Sequence, residues 1–250
     1  MMNRRTWRAI RHLFLYSKIS NTFLRPYLAS TYHRLVRLYF PDTYTSSEPF
    51  NTVWVDPCKI KHDLSNHDNP HIRSTWEIEK NLNLGRFKPF SNIDTFNSVI
   101  EGDWDKNNEV FTDRLLYSSI EMRFNDGCEW SQTPIYYRAQ AYLRNNETWK
   151  GVKSGNLNER FNQIDNLYNK IKQNGFKSQA ELSTGYPPHF DEIKVNIGRD
   201  GELIYDTDGA HRLSIAKVLN IDSIPVMPLV RHPEWEQSIR ESDSECLNRP

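Results

Sequence analysis

The chain predicts an α+β fold, and three observations carry that expectation. Residues 192–230 read as strand, turn, strand, helix and strand in close succession. Residues 112–174 repeat apolar positions at helical spacing, and the first 41 residues form a basic arm without a single carboxylate. With 250 residues, 37% hydrophobic and 12% aromatic, the chain has enough apolar surface for a packed core, which excludes wholesale disorder.

The arm comes first. Lys+Arg and Asp+Glu both number 32, so the net charge is zero, which excludes a uniformly basic nucleic-acid coat. Residues 1–41 nevertheless hold eight basic residues and no acidic one, leaving 24 basic against 32 acidic in the remainder. Two amphipathic helices are expected here. Over 6–19, Trp7, Ile10 and Phe14 share one face, with Arg4, Arg8 and Arg11 around the other. In the second, Leu24, Leu28, Tyr32, Leu35 and Tyr39 recur at helical spacing up to Pro41. Such faces suit the protein's own acidic body, another protein or an anionic membrane surface, so residues 1–41 are expected to make a protein contact or a peripheral membrane contact.

No apolar run reaches the ~20 residues of a membrane-spanning helix. Leu13-Phe14-Leu15-Tyr16 is too short for the apolar stretch of a signal peptide. Cys58, Cys128 and Cys246 are odd in number and far apart, unlike a disulfide framework or a zinc knuckle. The expected location is cytoplasmic, with membrane-peripheral attachment through the arm as the variant.

Residues 42–180 are expected to be loop-rich and then mainly helical. A strand is expected over 52–55, ended by Asp56-Pro57. His62, His67 and His71 follow with Asp63 and Asp68 between them; these are metal-binding residue types, but the spacing matches no ligand motif and reads as a polar loop. Helices are expected over 112–124, 134–145 and 158–174, with Gly175 closing the last. Gly102-Asp103-Trp104-Asp105 and Asp126-Gly127-Cys128-Glu129-Trp130 combine glycine, carboxylates and tryptophan. Either a polar pocket with an aromatic wall or a turn lidded by a buried tryptophan has that composition, and the turn is the expectation.

Residues 181–235 form the informative subdomain, followed by a tail over 236–250. Ile193, Val195 and Ile197 alternate with polar residues; Arg199-Asp200-Gly201 makes a hairpin turn; and 202–205 return as a second strand. Asp206-Thr207-Asp208-Gly209 opens a helix over 210–219 with Leu213, Ala216 and Leu219 (or Val218) facing inward. Asn220 ends that helix, and 224–230 form a further strand. The first N–H groups of a helix lack internal partners and sit at the positive end of its dipole, so they attract anions. Gly209 permits close approach to the backbone, Asp208 can cap the helix or hold a cation, and His211 and Arg212 add donors. Positive side chains at a helix start oppose the dipole, a cost that points to function.

Asp208-Gly209-Ala210-His211-Arg212-Leu213-Ser214-Ile215-Ala216-Lys217, followed by Ile224-Pro225-Val226, resembles the signature of the ParB N-terminal / sulfiredoxin superfamily. The resemblance covers about residues 185–235, a fifth of the chain. It implies a small mixed sheet with helices that binds nucleotide phosphates at the helix start. Members include nucleotide-gated DNA clamps, sulfinic-acid reductases, free-serine kinases and proposed nucleases. Sulfiredoxins carry a reactive Cys where Ala210 stands. Partitioning ParB proteins carry Glu-Arg-Arg and a DNA-reading domain, for which 236–250 is too short. The free-serine-kinase motif Asp-Gly-His-His-Arg differs from this chain at Ala210 alone.

The expected function is therefore nucleotide or phosphate binding, with phosphotransfer or nucleotide hydrolysis as the leading chemistry. Gly209, Ala210, His211 and Arg212 would hold the phosphates of ATP, ADP or CTP with Mg²⁺, which Asp208 would contact. Asp206, Asp208 and His211 are the candidates for acid–base work. Asp103, Asp105, Glu129 and Glu192 are further carboxylates whose place the sequence does not give. The alternatives are a nucleotide-sensing module without turnover and a DNA-acting protein, the latter disfavoured by the acidic body.

Overall fold

A long apolar run needs cover on both faces, and residues 224–231 find it in the middle of a mixed sheet. The structure is a computed structural model that describes residues 51–64, 98–106, 108–144, 148–149, 152–182, 191–206 and 208–247, with Thr31, Arg34, Leu35 and Leu38 of the arm. Those four arm positions are helical, and Leu35 is half-buried while its described neighbours are exposed. The rest of the arm and the histidine-rich loop beyond Leu64 lie outside the described residues.

The strands are β1 (Val53–Val55), β2 (Ile60–Asp63), β3 (Ser98–Val99), β4 (Glu109–Val110), β5 (Thr148–Trp149), β6 (Val152–Lys153), β7 (Ile193–Ile197), β8 (Leu203–Tyr205) and β9 (Ile224–Arg231). The helices are α1 (Leu115–Phe124), α2 (Pro134–Leu143), α3 (Leu157–Asn174), α4 (Gln179–Leu182), α5 (Ala210–Val218) and α6 (Pro233–Leu247). Among the described residues the main sheet has seven strands in the order β1-β9-β7-β8-β2-β4, with β3 also on β9; β5 and β6 pair separately. β7 runs parallel to β9 and antiparallel to β8, and β2 runs parallel to β8. The fold is mixed α and β, as the sequence predicts. β1 covers residues 224–226 of β9 and β3 covers 230–231. Pro228 falls in the interval between them, which lowers the demand for ladder donors along that edge.

The hairpin β7–β8 forms as expected. Gly201 turns it at φ 79°, and the Trp235 ring packs so close that a Cβ there would meet it at 2.4 Å. Asn220 closes α5 in the left-handed region, φ 51°. The helices 134–145 and 158–174 appear as α2 and α3 within two residues of their expected ends. The expected helix 112–124 begins later: Phe111–Asp113 form a single 3-10 turn before α1. The expected 236–250 tail is helical through Leu247. Residues 233–247 form α6, with Glu236 buried against Arg231.

Two features of burial go beyond the sequence reading. Alternation along β7 leaves open whether its polar face is covered, and Lys194 and Asn196 are buried along with Val195. Asn196 donates to Asp206 at 2.7 Å and accepts from the Val230 N–H at 3.2 Å, so a single amide ties three strands on that face. Likewise α5 has two apolar faces instead of one. Leu213 and Ala216 pack on Ile193, Val195, Ile224 and Val226 of the sheet, while Ile215 and Val218 join Ile120, Phe161 and Ile164 of α1 and α3. A helix buried between two layers gains about 1.5–3 kcal/mol from each large apolar side chain it removes from water.

Both Gly/Trp peptides are turns with buried tryptophans. Trp104 donates to Ile100 C=O at 2.9 Å, and Trp130 to Asp165 at 2.8 Å. Asp103 and Asp105 hold Arg199 at the hairpin tip, with Arg199 N–H, Nε and Nη2 all reaching Asp105 within 2.9 Å. Burial pushes the Asp105 carboxyl up, but the Arg199 hydrogen bonds and charge outweigh it and lower the pKa below 3.8.

Candidate functional site

The sheet brings the C-terminal ends of β2 and β8 and the N-terminal end of β7 to one edge, and α5 starts there. Asp208 and Gly209 lead into it with consecutive left-handed conformations, φ 57° and 67°. The first helical hydrogen bond is Leu213 N–H to Gly209 C=O at 2.9 Å, which places the N–H groups of residues 210–212 outside the ladder. Gly209, not Asp208, occupies the N-cap position, so the N-cap residue supplies no side chain to the first turn. The glycine has a structural cause: a Cβ there would stand 2.6 Å from Ile193 Cγ1 and 3.1 Å from Arg212 Nη2.

Four ion pairs or polar pairs surround this start. Lys194, buried on β7, pairs with Asp208. Arg114, just before α1, pairs with the fully buried Asp63, and its guanidinium lies 5.2 Å from the Tyr205 ring centroid. Asp206 is fully buried and accepts from Asn196. Arg212 donates to Asp191 C=O and lies 3.6 Å from the Glu192 carboxylate. Burial lowers the Arg212 pKa, opposed by Glu192, Asp191 and Asp208. Burial raises the Glu192 carboxyl, opposed by the Gln179 N–H and by Arg212. Burial also drives the Tyr205 hydroxyl strongly upward.

The structure thus brings Asp206, Asp208, Gly209, Ala210, His211 and Arg212 to one junction, with His211 and Arg212 half-buried in the first turn of α5. Of the four carboxylates left unplaced, Glu192 arrives there. Asp103 and Asp105 sit beyond the other end of β7, roughly 20 Å away by strand rise. Glu129 sits with Arg123 at the helical layer, 74% exposed. Sequence reasoning missed Lys194, Arg114, Asp63 and Tyr205. Lys194 occupies a polar position of an alternating strand, which carries no signal of burial. Asp63 falls where the sequence suggests a polar loop, but it closes β2 and is fully buried.

Chemically, the junction offers helix N–H donors, an arginine beside them, and a buried lysine on the next strand, all of which suit an anion. Among the described residues no group of three or more His, Cys, Asp or Glu side chains converges as a metal site requires. No described helix is long and apolar enough to cross a membrane. No protein-family model matches the chain, and no curated protein or solved structure matches it either.

Proposed function

We propose that the start of α5 binds the phosphate of a nucleotide or small phosphorylated ligand, as the resemblance to the ParB/sulfiredoxin superfamily implies. The observation that carries this reading is the first turn of α5, entered through a glycine N-cap, beside Arg212 and Lys194. The N–H groups of Ala210, His211 and Arg212 hold phosphate oxygens, and the Arg212 guanidinium adds charge-assisted donors. Mg²⁺ on the phosphates would neutralise charge, and it fits Asp208, whose side chain is 46% exposed, because such an ion takes one or two carboxylates along with phosphate oxygens. In the phosphotransferase or nucleotide-hydrolase form, Asp206 or Asp208 accepts the proton of the attacking hydroxyl and His211 assists.

A second reading, a nucleotide sensor without turnover, is favoured by one observation. Asp206 and Asp208, the first candidates for a base, are already engaged by Asn196 and Lys194. Calorimetry with ATP, ADP and CTP in Mg²⁺ tests both readings on the wild type, Arg212→Ala and His211→Ala, with thermal melting as the folding control. Binding lost in folded Arg212→Ala supports the site, and hydrolysis or transfer assayed on the same samples separates enzyme from sensor. Nucleotide binding unchanged in both variants, or absent from the wild type, refutes it.

A further inference from the structure

Phosphate binding leaves the burial of Glu192 unexplained. Its side chain is 1% exposed, with Oε1 accepting the Gln179 N–H at 2.6 Å, while Oε2 has no hydrogen-bond partner among the described residues. Facing it at 3.6 Å is Arg212 Nη1, which also has none. The two attract but stand too far apart to share a hydrogen bond. Arg212 is the third residue of α5, and helical side chains lean toward the N-terminus, so its guanidinium lies over the helix start next to Gly209. Glu192 therefore sets a negative charge against the arginine at the positive end of α5, where the proposed phosphate belongs.

We propose that Glu192 stands in for the ligand's phosphate on Arg212, and that an anion binding at the start of α5 takes over Arg212 while Glu192 takes up one proton. This rests on the phosphate-binding reading above and makes Glu192 a positioning residue. The step is a protonation: the carboxylate oxygen gains one proton from solvent, no other bond changes, and the incoming anion replaces the negative charge. Two anions beside one guanidinium disfavour each other, whereas a neutral Glu192 keeps its bond from Gln179 and gains a donor at Oε2. The charges that face the pair act in the same sense. Glu181 and Asp191 also oppose ionisation of Glu192, while Asp191 and Asp208 favour the charged form of Arg212. Burial already holds the Glu192 carboxyl above its ordinary 4.5.

Proton uptake makes binding tighter as pH falls, by at most about tenfold per pH unit for one proton. His211 is a second proton acceptor in the same turn, so it is replaced. The probe is inorganic sulfate, whose charge is constant from about pH 5.5 to about pH 8.5, where carboxylates and imidazoles shifted by burial titrate. The full-length His211→Gln protein is compared with His211→Gln/Glu192→Gln. The expected result is that sulfate affinity in His211→Gln falls by up to about tenfold per pH unit over part of that range, whereas the double variant binds tightly at every pH. Calorimetry of His211→Gln in two buffers of different ionisation heat, which needs no change at Glu192, is expected to count close to one proton taken up. A flat profile in His211→Gln, or a slope that survives Glu192→Gln, overturns the inference and leaves the phosphate site standing. Sulfate that binds neither protein at any pH overturns both.

Discussion

Replacing Gly209 by alanine separates the backbone demands of the junction from its chemistry. Gly209 has φ 67°, a conformation that costs an L-residue about 1–2 kcal/mol. Its new Cβ would also stand 2.6 Å from Ile193 Cγ1, well inside contact distance. Ile193 is fully buried on β7, so it relaxes only by shifting the strand or its rotamer, an overpacking cost of about 1–3 kcal/mol. Together Gly209→Ala is expected to cost about 2–5 kcal/mol, a large share of the ~5–15 kcal/mol that holds a typical domain. Urea unfolding followed by circular dichroism and tryptophan fluorescence reads this directly. The same substitution in an Ile193→Ala background meets no Cγ1, and should cost only the left-handed share of about 1–2 kcal/mol. All four proteins are measured in sucrose, which favours burial and keeps the double variant folded. A cost below about 0.5 kcal/mol, or an equal cost in both backgrounds, would refute the account of why glycine stands there.

Three further outcomes follow from the packing and the charges. Leu213→Ala and Ile215→Ala are each expected to cost about 2–5 kcal/mol in urea unfolding, because both are fully buried on opposite sides of α5; a helix with a single inward face would spare Ile215. Asp105→Asn is expected to cost about 1–3 kcal/mol at neutral pH by weakening the Arg199 clamp. Since the folded Asp105 pKa is lowered, that stability is present above the unfolded value of 3.8 and disappears as pH falls through the folded one, so unfolding curves of variant and wild type should converge in acid. Glu192→Met/Arg212→Leu should keep or gain stability, by up to about 4 kcal/mol, since apolar pairs often replace buried ion pairs without loss. The same variant should lose sulfate and nucleotide binding, which calorimetry checks.

What was legible in the sequence is what local chemistry dictates. Gly201 and Asn220 adopt the left-handed conformations their positions called for, so the hairpin and the end of α5 could be placed from residue types alone. The apolar repeat Leu157, Phe161, Ile164, Tyr168 and Ile171 likewise marks the buried face of α3. The unread parts depend on long-range pairing. β3 and β4 are two residues each, too short to carry alternation, and exist because β9 and β2 offer them an edge. Alternation along β7 says that Lys194 and Asn196 share a face, not whether that face is covered. For the same reason Glu192 was recognisable as a carboxylate but not as the partner of Arg212, which lies 20 residues on and meets it only once α5 folds back along the sheet.

The charges at the start of α5 are hard to explain by stability. His211 and Arg212 stand in the first turn, where the dipole disfavours cations, and the protein answers with buried carboxylates at Glu192, Asp63 and Asp206, of which Asp63 and Glu192 face arginines. Each buried pair loses more hydration than an apolar pair of the same size. Structural clamps elsewhere in the molecule offset this cost: Arg199 reaches Asp105 through three short hydrogen bonds, and Arg123 grips Asp165 through two. Arg212 and Glu192 instead face each other at 3.6 Å with unbonded atoms. An arrangement selected only to hold the fold would close that gap; one that must exchange a carboxylate for an incoming anion gains from leaving it open, because an arginine that shares no hydrogen bond with Glu192 leaves it at lower cost.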